Sequence, residues 1–308
     1  MNYHKLNTRN FLNKAPTQNV DDKVIIEALD DCYKNTAFST FPYLFYNMNS
    51  KTAIKKLSSG NCVALSMYVK NYLWKNYRIK SFLIPATIPN MYKLPGLLEI
   101  SHVALAIPKN KSTVFIADAA FYFLNPITFS LKNKDLSPLV FSKKIYTHEP
   151  STNVDEYKTI EKVQSKRVVT TERTVYNEYQ SIPKNTTICE CSYITNPEDT
   201  WRYILREVTN PDRAISTFFL NVKKRPFICS TKNDCNSVCI ADTHVRLMPN
   251  NKVNVSYESG VPQEYGKEDI NDVVRNDFKK RLEKFIPDDF VDFLFGVDFD
   301  NMSISVKD

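Results

Sequence analysis

Ser59-Gly60-Asn61-Cys62-Val63-Ala64-Leu65-Ser66-Met67-Tyr68-Val69-Lys70 is a small-residue turn followed at once by a helical pattern with a cysteine at its mouth. Cys62, Leu65, Val69 and Leu73 recur at helical spacing, which predicts a central buried helix running through Tyr72-Leu73-Trp74. Ser58 or Ser59 is the expected cap, and Cys62 then lies in the first turn, where backbone amides and the positive dipole end favour an anion. Outward from this helix stand Ile100-Ser101-His102-Val103-Ala104-Leu105-Ala106-Ile107 and Val114-Phe115-Ile116-Ala117-Asp118-Ala119-Ala120-Phe121. Each reads as a buried strand carrying one ionisable residue. A further strand is expected at about 81 to 88.

Taken singly, each residue has a bland explanation: a core cysteine, a hydrogen-bonded core histidine, an aspartate capping a loop. The ordered set points to an activated thiol. Cys62 is the candidate nucleophile, and His102 its ion-pair partner and proton donor to a leaving group. Asp118 would orient the ring and stabilise its charged form. The backbone amide of Cys62 is one expected oxyanion donor.

The run Gly60-Asn61-Cys62, the strand opening at His102 and Ile116-Ala117-Asp118-Ala119-Ala120-Phe121 resemble the arylamine N-acetyltransferases. Those enzymes show Gly-Gly-Phe-Cys, a His at a hydrophobic strand and Val-Asp-Val-Gly-Phe-Gly in the same order. They belong to the wider papain and transglutaminase-like group. Thr36-Ala37-Phe38-Ser39 stands where the family has Pro-Phe-Glu-Asn, and Asn210-Pro211 with Ser216-Thr217-Phe218-Phe219-Leu220-Asn221 is similar to its Ser-Thr-x-Pro-Phe segment, so the likeness is nearly full length. The resemblance implies that Cys62 takes an acetyl group from acetyl-CoA and passes it, by a ping-pong route, to a small-molecule amine acceptor. It also implies cofactor contacts at Ser216, Thr217 and Phe218 and an acceptor pocket bordered by Phe38, for which a core-packing loop is the alternative. Ser39 replaces the family's Glu, and its two glycines after the triad Asp are here Ala120 and Tyr122.

The fold class that follows is α+β and arylamine N-acetyltransferase-like. It comprises a helical subdomain with the nucleophile helix (1–80), a β-barrel or sheet subdomain with His102 and Asp118 (81–208) and a C-terminal α/β lid (209–308). Two other functions stay open on the same residues. One is a transglutaminase-like or papain-like cysteine hydrolase, which uses the same thiolate and imidazolium. The other is a catalytically silent binding or structural protein.

Composition bounds the rest. With 308 residues the chain is long enough for several subdomains around a substantial core, and 43% hydrophobic with 24% charged residues is ordinary globular usage. Only 5 residues are Gly, so turns are expected to lean on Asn, Asp and Pro. A net charge of +7 favours anionic partners without naming one. No aromatic-interleaved basic repeat argues for nucleic acid. Seven cysteines without a signal-like N-terminus, and no apolar run of bilayer length, predict a soluble protein of a reducing compartment, the cytoplasm.

Elsewhere, Val20 to Tyr33 predicts a helix capped by Asp21 or Asp22, within a region to about residue 55 that reads as helical. Asn125 to about Ser165 reads as a surface connection in which His148 is solvated. Arg167 to Tyr176, Thr187 to Tyr193, Ser216 to Ser230, Val238 to Met248 and Val253 to Tyr257 read as strands. Glu198 to Glu207 reads as a short helix entered at Asn196-Pro197. Ile270, Val273, Val274, Phe278, Leu282 and Phe285 mark a final amphipathic helix. Cys189 and Cys191 share a strand face, but their spacing to Cys229, Cys235, Cys239 and His244 matches no zinc module, so no metal is expected. Lys223-Lys224-Arg225 could meet cofactor phosphates or end a strand in solvent, and the acidic tail from Val297 could reach the active-site cleft.

Overall fold

The computed structural model describes residues 11, 15–44, 46, 48–89, 100–130, 141–147, 186–193, 196–208, 227–231, 241–248, 252–257 and 263–266, with 269, 272 and 276. Helix α1 (Asp22–Asn35) starts where the Asp21 side chain accepts a hydrogen bond from Val24 N–H at 3.2 Å. Its stripe Ile25, Ala28, Leu29 and Cys32 is buried, as the periodicity predicts. After it the chain is not continuously helical. Strand β1 (Ala37–Ser39) precedes the short α2 (Phe41–Leu44), α3 (Ser50–Leu57), the two-residue β2 (Ser59–Gly60) and α4 (Cys62–Tyr77). Tertiary pairing extends β1: it runs parallel to β2 and antiparallel to β10 (Phe227–Thr231).

Strands β3 (Phe82–Thr87), β4 (Ile100–Asn110) and β5 (Thr113–Ala117) stand where the apolar runs predict them. Nine consecutive residues of β4 are buried, so the strand is covered on both faces and shows no alternation. Beyond Ala117 the strand reading fails, because Ala119–Phe121 forms a 3-10 turn. The predicted surface connection contains two strands, β6 (Ile127–Ser130) and β7 (Phe141–Thr147). In β6, buried Ile127 and Phe129 alternate with half-buried Thr128 and Ser130, a period too short to register in a Pro-rich context.

The predicted helix at Glu198 to Glu207 is also corrected: Asn196–Ile204 is strand β9, antiparallel to β8 (Thr187–Tyr193). Trp201 and Tyr203 are buried, while Arg202 between them meets Glu190 at 2.9 Å. Partners on both sides impose this period of two, since Tyr203 lies opposite both Cys189 of β8 and Ala86 of β3. Proline at its second residue fits a strand start as well as a helix entrance. Strands β11 (Ala241–Met248) and β12 (Lys252–Tyr257) agree with the sequence reading and are joined by β13 (Gln263–Tyr265). The expected strand at Arg167 to Tyr176 and the acidic tail lie outside the described residues, as do the apolar positions of the final helix, within which Asp272 and Asn276 are helical.

Contacts divide the chain into two units. One comprises Met1–Val20, Ile79–Ile116 and Ile127–Phe219 and holds a seven-stranded sheet ordered β6-β5-β4-β3-β9-β8-β7. The other comprises Asp21–Arg78, Ala117–Pro126 and Leu220–Asp308. Its sheet runs β13-β12-β11-β10-β1-β2, and helices α1 and α4 pack together within it. The chain is thus α+β.

Scarcity of glycine has a visible cost. Ser58, Arg78 and Tyr122 adopt left-handed backbone with φ of 46°, 56° and 54°. The sequence reading assigned such turns to Asn, Asp and Pro. Each of these residues accepts about 1–2 kcal/mol of strain, which surrounding contacts must offset.

Candidate active site

Cys62 is the first residue of α4, and the residue before it, Asn61, is the cap. Asn61 Oδ1 accepts from the backbone N–H groups of Val63 and Ala64, at 3.1 and 3.3 Å. It also accepts from Tyr43 Oη at 2.9 Å and Ser50 Oγ at 3.3 Å. The Asn61 backbone N–H in turn donates to Tyr43 Oη at 3.0 Å. Four donors on one oxygen fix the amide's rotation, and the Asn61 Nδ2 donor finds no acceptor among the described residues. The expected caps do other work: Ser58 is the left-handed C-cap of α3 and Ser59 lies in β2. Asn ranks with Ser as a cap, so Asn61 was legible; the roles of Tyr43 and Ser50 are tertiary and left no local signal.

Gly60 is required by space. A Cβ there would come within 2.4 Å of Ala64 Cβ and 2.7 Å of Tyr43 Oη. This close approach lets β2 run directly into the helix and puts Gly60 opposite Phe38 of β1. Phe38 is buried, and it also lies opposite Cys229 in β10. Ser39 is buried and accepts the Phe41 N–H on its hydroxyl at 3.2 Å.

Cys32, Cys62, Cys189 and Cys191 are buried free thiols, but their settings differ. Cys32 stands at the end of α1 against Thr36 Oγ1 at 3.4 Å, and burial pushes its thiol up to about 12. Burial likewise raises Cys189. Cys62 alone is at a helix N-terminus; that first turn holds no acidic residue, and no hydrogen bond among the described residues engages the Cys62 sulfur.

Asp118 occupies the N-cap position of the 3-10 turn, yet its side chain makes no capping hydrogen bond. The residue is buried, 1% exposed. That turn packs against both α4 and α1, so the elements carrying Cys62 and Asp118 are brought together within one unit. Helix α1 is the common support. Tyr68 Oη donates to Asp31 at 2.6 Å, and Tyr72 and Tyr77 donate to Glu27 at 2.7 and 2.5 Å, tying α4 to it. These phenol groups hold the Glu27 carboxyl below the usual range.

His102 belongs to the other unit, buried in β4 beside β5, the strand that leads into Asp118. It lies opposite Ala86, while Thr87 lies opposite Ile100. Two adjacent residues of β3 therefore span three of β4, and Ser101 is the extra residue of a β-bulge beside the histidine. Bulges re-aim the side chains next to them. The Ser101 hydroxyl is buried without a hydrogen-bond partner among the described residues. Ser216, Thr217, Phe218 and the basic run Lys223-Lys224-Arg225 lie outside the described residues. Among the described residues no three His, Cys, Asp or Glu side chains cluster as metal ligands, and no helix is long and apolar enough to cross a membrane.

No protein-family model matches the sequence, and no curated protein matches it. Solved structures do. The arylamine N-acetyltransferase of Nocardia farcinica is 10% identical, with 89% of this chain and 87% of that chain covered at a TM-score of 0.52. The enzyme of Mycobacterium smegmatis is 9% identical, with 91% and 93% covered at 0.51. The arylamine N-acetyltransferase of Bacillus cereus, which has a Cys-His-Glu catalytic triad, is 13% identical, with 85% and 91% covered at 0.50. At such identities the likeness is one of fold: this chain is similar to the arylamine N-acetyltransferases in architecture over most of its length.

Proposed function

We propose that the chain is an acyltransferase of arylamine N-acetyltransferase type, with Cys62 as nucleophile, His102 as acid and base and Asp118 as the carboxylate that orients the imidazole. The observation that carries this reading is Cys62 at the first position of a buried helix, its cap amide held by four donors, packed on the turn that bears Asp118. An anion at Cys62 meets the positive end of α4, whose own first turn carries no carboxylate.

In the first half-reaction the Cys62 thiolate attacks the thioester carbonyl of acetyl-CoA. The carbonyl oxygen takes the negative charge, with the Cys62 backbone N–H as one donor. Collapse breaks the bond to the coenzyme A sulfur, which leaves with the proton from His102. In the second half, the nitrogen of an amine acceptor attacks the acetyl-cysteine and gives its proton to neutral His102. The Cys62 thiolate then departs beside an imidazolium, restoring the starting pair.

Ser216, Thr217 and Phe218 are proposed as contacts for coenzyme A, and Phe38 as a wall of the acceptor side. The fold is also compatible with a third member other than Asp, since the Bacillus cereus enzyme uses Glu. A cytoplasmic setting, where acetyl-CoA and reduced thiols coexist, suits the chemistry.

Initial rates with acetyl-CoA and an arylamine, both varied, test the reading. Parallel double-reciprocal lines that vanish in Cys62→Ala are expected. Intersecting lines, or turnover retained in Cys62→Ala, would overturn it.

A further inference from the structure

Tyr122 follows the 3-10 turn in the left-handed region, with φ 54° and ψ 33°, a conformation that tyrosine rarely adopts. Such a residue persists only where its surroundings over-determine it. Here they do. The Tyr122 N–H donates to Ala119 O at 3.1 Å, closing the turn. Its ring leans on Tyr33 of α1, centroids 5.4 Å apart at 56°. Tyr33 Oη then donates to Phe123 O at 2.7 Å, pinning the next residue to the same helix. Asp118 thus sits at one end of a short turn whose other end is clamped to α1, the helix that also holds α4 through three tyrosines.

We propose that Tyr122 is a positioning residue for the Asp118 carboxylate. The ring stack and the Tyr33 hydrogen bond hold the turn in a strained form, and that form sets the orientation in which Asp118 is presented. A glycine would take the left-handed backbone without strain but would leave the turn unclamped. The inference rests on the triad reading, because Asp118 needs an orientation only if it acts through an imidazole.

The test is the rate of Cys62 alkylation by iodoacetamide near neutral pH, which needs no acyl donor, in the full chain and in Asp118→Asn, Tyr122→Gly, Tyr122→Phe, Tyr33→Phe and doubles with Asp118→Asn. Loss of a stabilised thiolate lowers reactivity, so Asp118→Asn is expected to slow alkylation about tenfold and Tyr122→Gly about threefold. Tyr122→Phe keeps the ring and should restore the parent rate. In the Asp118→Asn background, Tyr122→Gly should have no further effect, whereas a merely structural loss would multiply. Should Tyr122→Gly lose its far-ultraviolet circular dichroism, Tyr33→Phe, which keeps the ring and removes the bond to Phe123, carries the same comparison. A slow Asp118→Asn beside full-rate Tyr122→Gly and Tyr33→Phe, or effects that multiply, overturns the positioning role and leaves the triad intact. An unchanged rate in Asp118→Asn overturns both.

Discussion

Asn61 does the work of two residues: its oxygen caps α4, and it joins that cap to Tyr43 and Ser50. Asn61→Ala removes an N-cap, which costs about 1–2 kcal/mol, and takes away the oxygen to which both the Tyr43 and Ser50 hydroxyls donate. A lower thermal midpoint together with slower Cys62 alkylation is expected; a stable variant with an unchanged thiol rate would contradict the role. Cys32 is a second residue-scale case. Its folded thiol is raised from 9.0 to about 12 by burial, so the unfolded chain loses that proton first. The stability it contributes is fully present below about pH 8.5 and is lost as pH rises from there toward 12. Cys32→Ala should therefore flatten the loss of stability between pH 8 and 10 in denaturant titrations, and an unchanged slope would count against it. Cys62 and Asp118 were legible because each is a polar or reactive group at the edge of an apolar pattern. Asn61 was legible as a cap of the same propensity as its two neighbouring serines, but nothing local ranked it above them.

Among the elements, the helix that opens at Cys62 and the strands bearing His102 and leading to Asp118 were readable from periodicity and apolar runs. The errors share one cause. Strand β9 contains charged residues at helical spacing, but partners on both sides decide its conformation. Strands β1, β2 and β6 are too short for any pattern and exist because neighbours pair with them. The bulge at Ser101 is likewise a property of two strands, visible only in the register of β3 against β4. Deleting Ser101 would remove the extra residue and either turn His102 toward the opposite face or force the following strand out of register. Acetyl transfer should fall to the level of His102→Ala while Ser101→Ala, which keeps the residue count, stays active. Equal activity in the deletion and the parent would show that the bulge has no part in aiming the histidine.

At the scale of the whole molecule, each unit is assembled from separated stretches of chain, and one of the passages between them falls between Ile116 and Ala117, at the end of β5 just before Asp118. Order and spacing of three short motifs carried the likeness to the arylamine N-acetyltransferases, and solved structures covering about nine-tenths of the chain agree with it in fold. At 9 to 13% identity most positions no longer carry that signal, because burial constrains size and polarity more than identity. Chemistry survives at few residues, so it must be measured. The most direct measurement is intact mass and peptide mapping after brief exposure to acetyl-CoA, with Cys62→Ala alongside. One acetyl group on the peptide containing Cys62, absent from the variant and discharged by an arylamine, is the predicted result. An unmodified Cys62, or an acetyl group that persists in Cys62→Ala, would contradict the account.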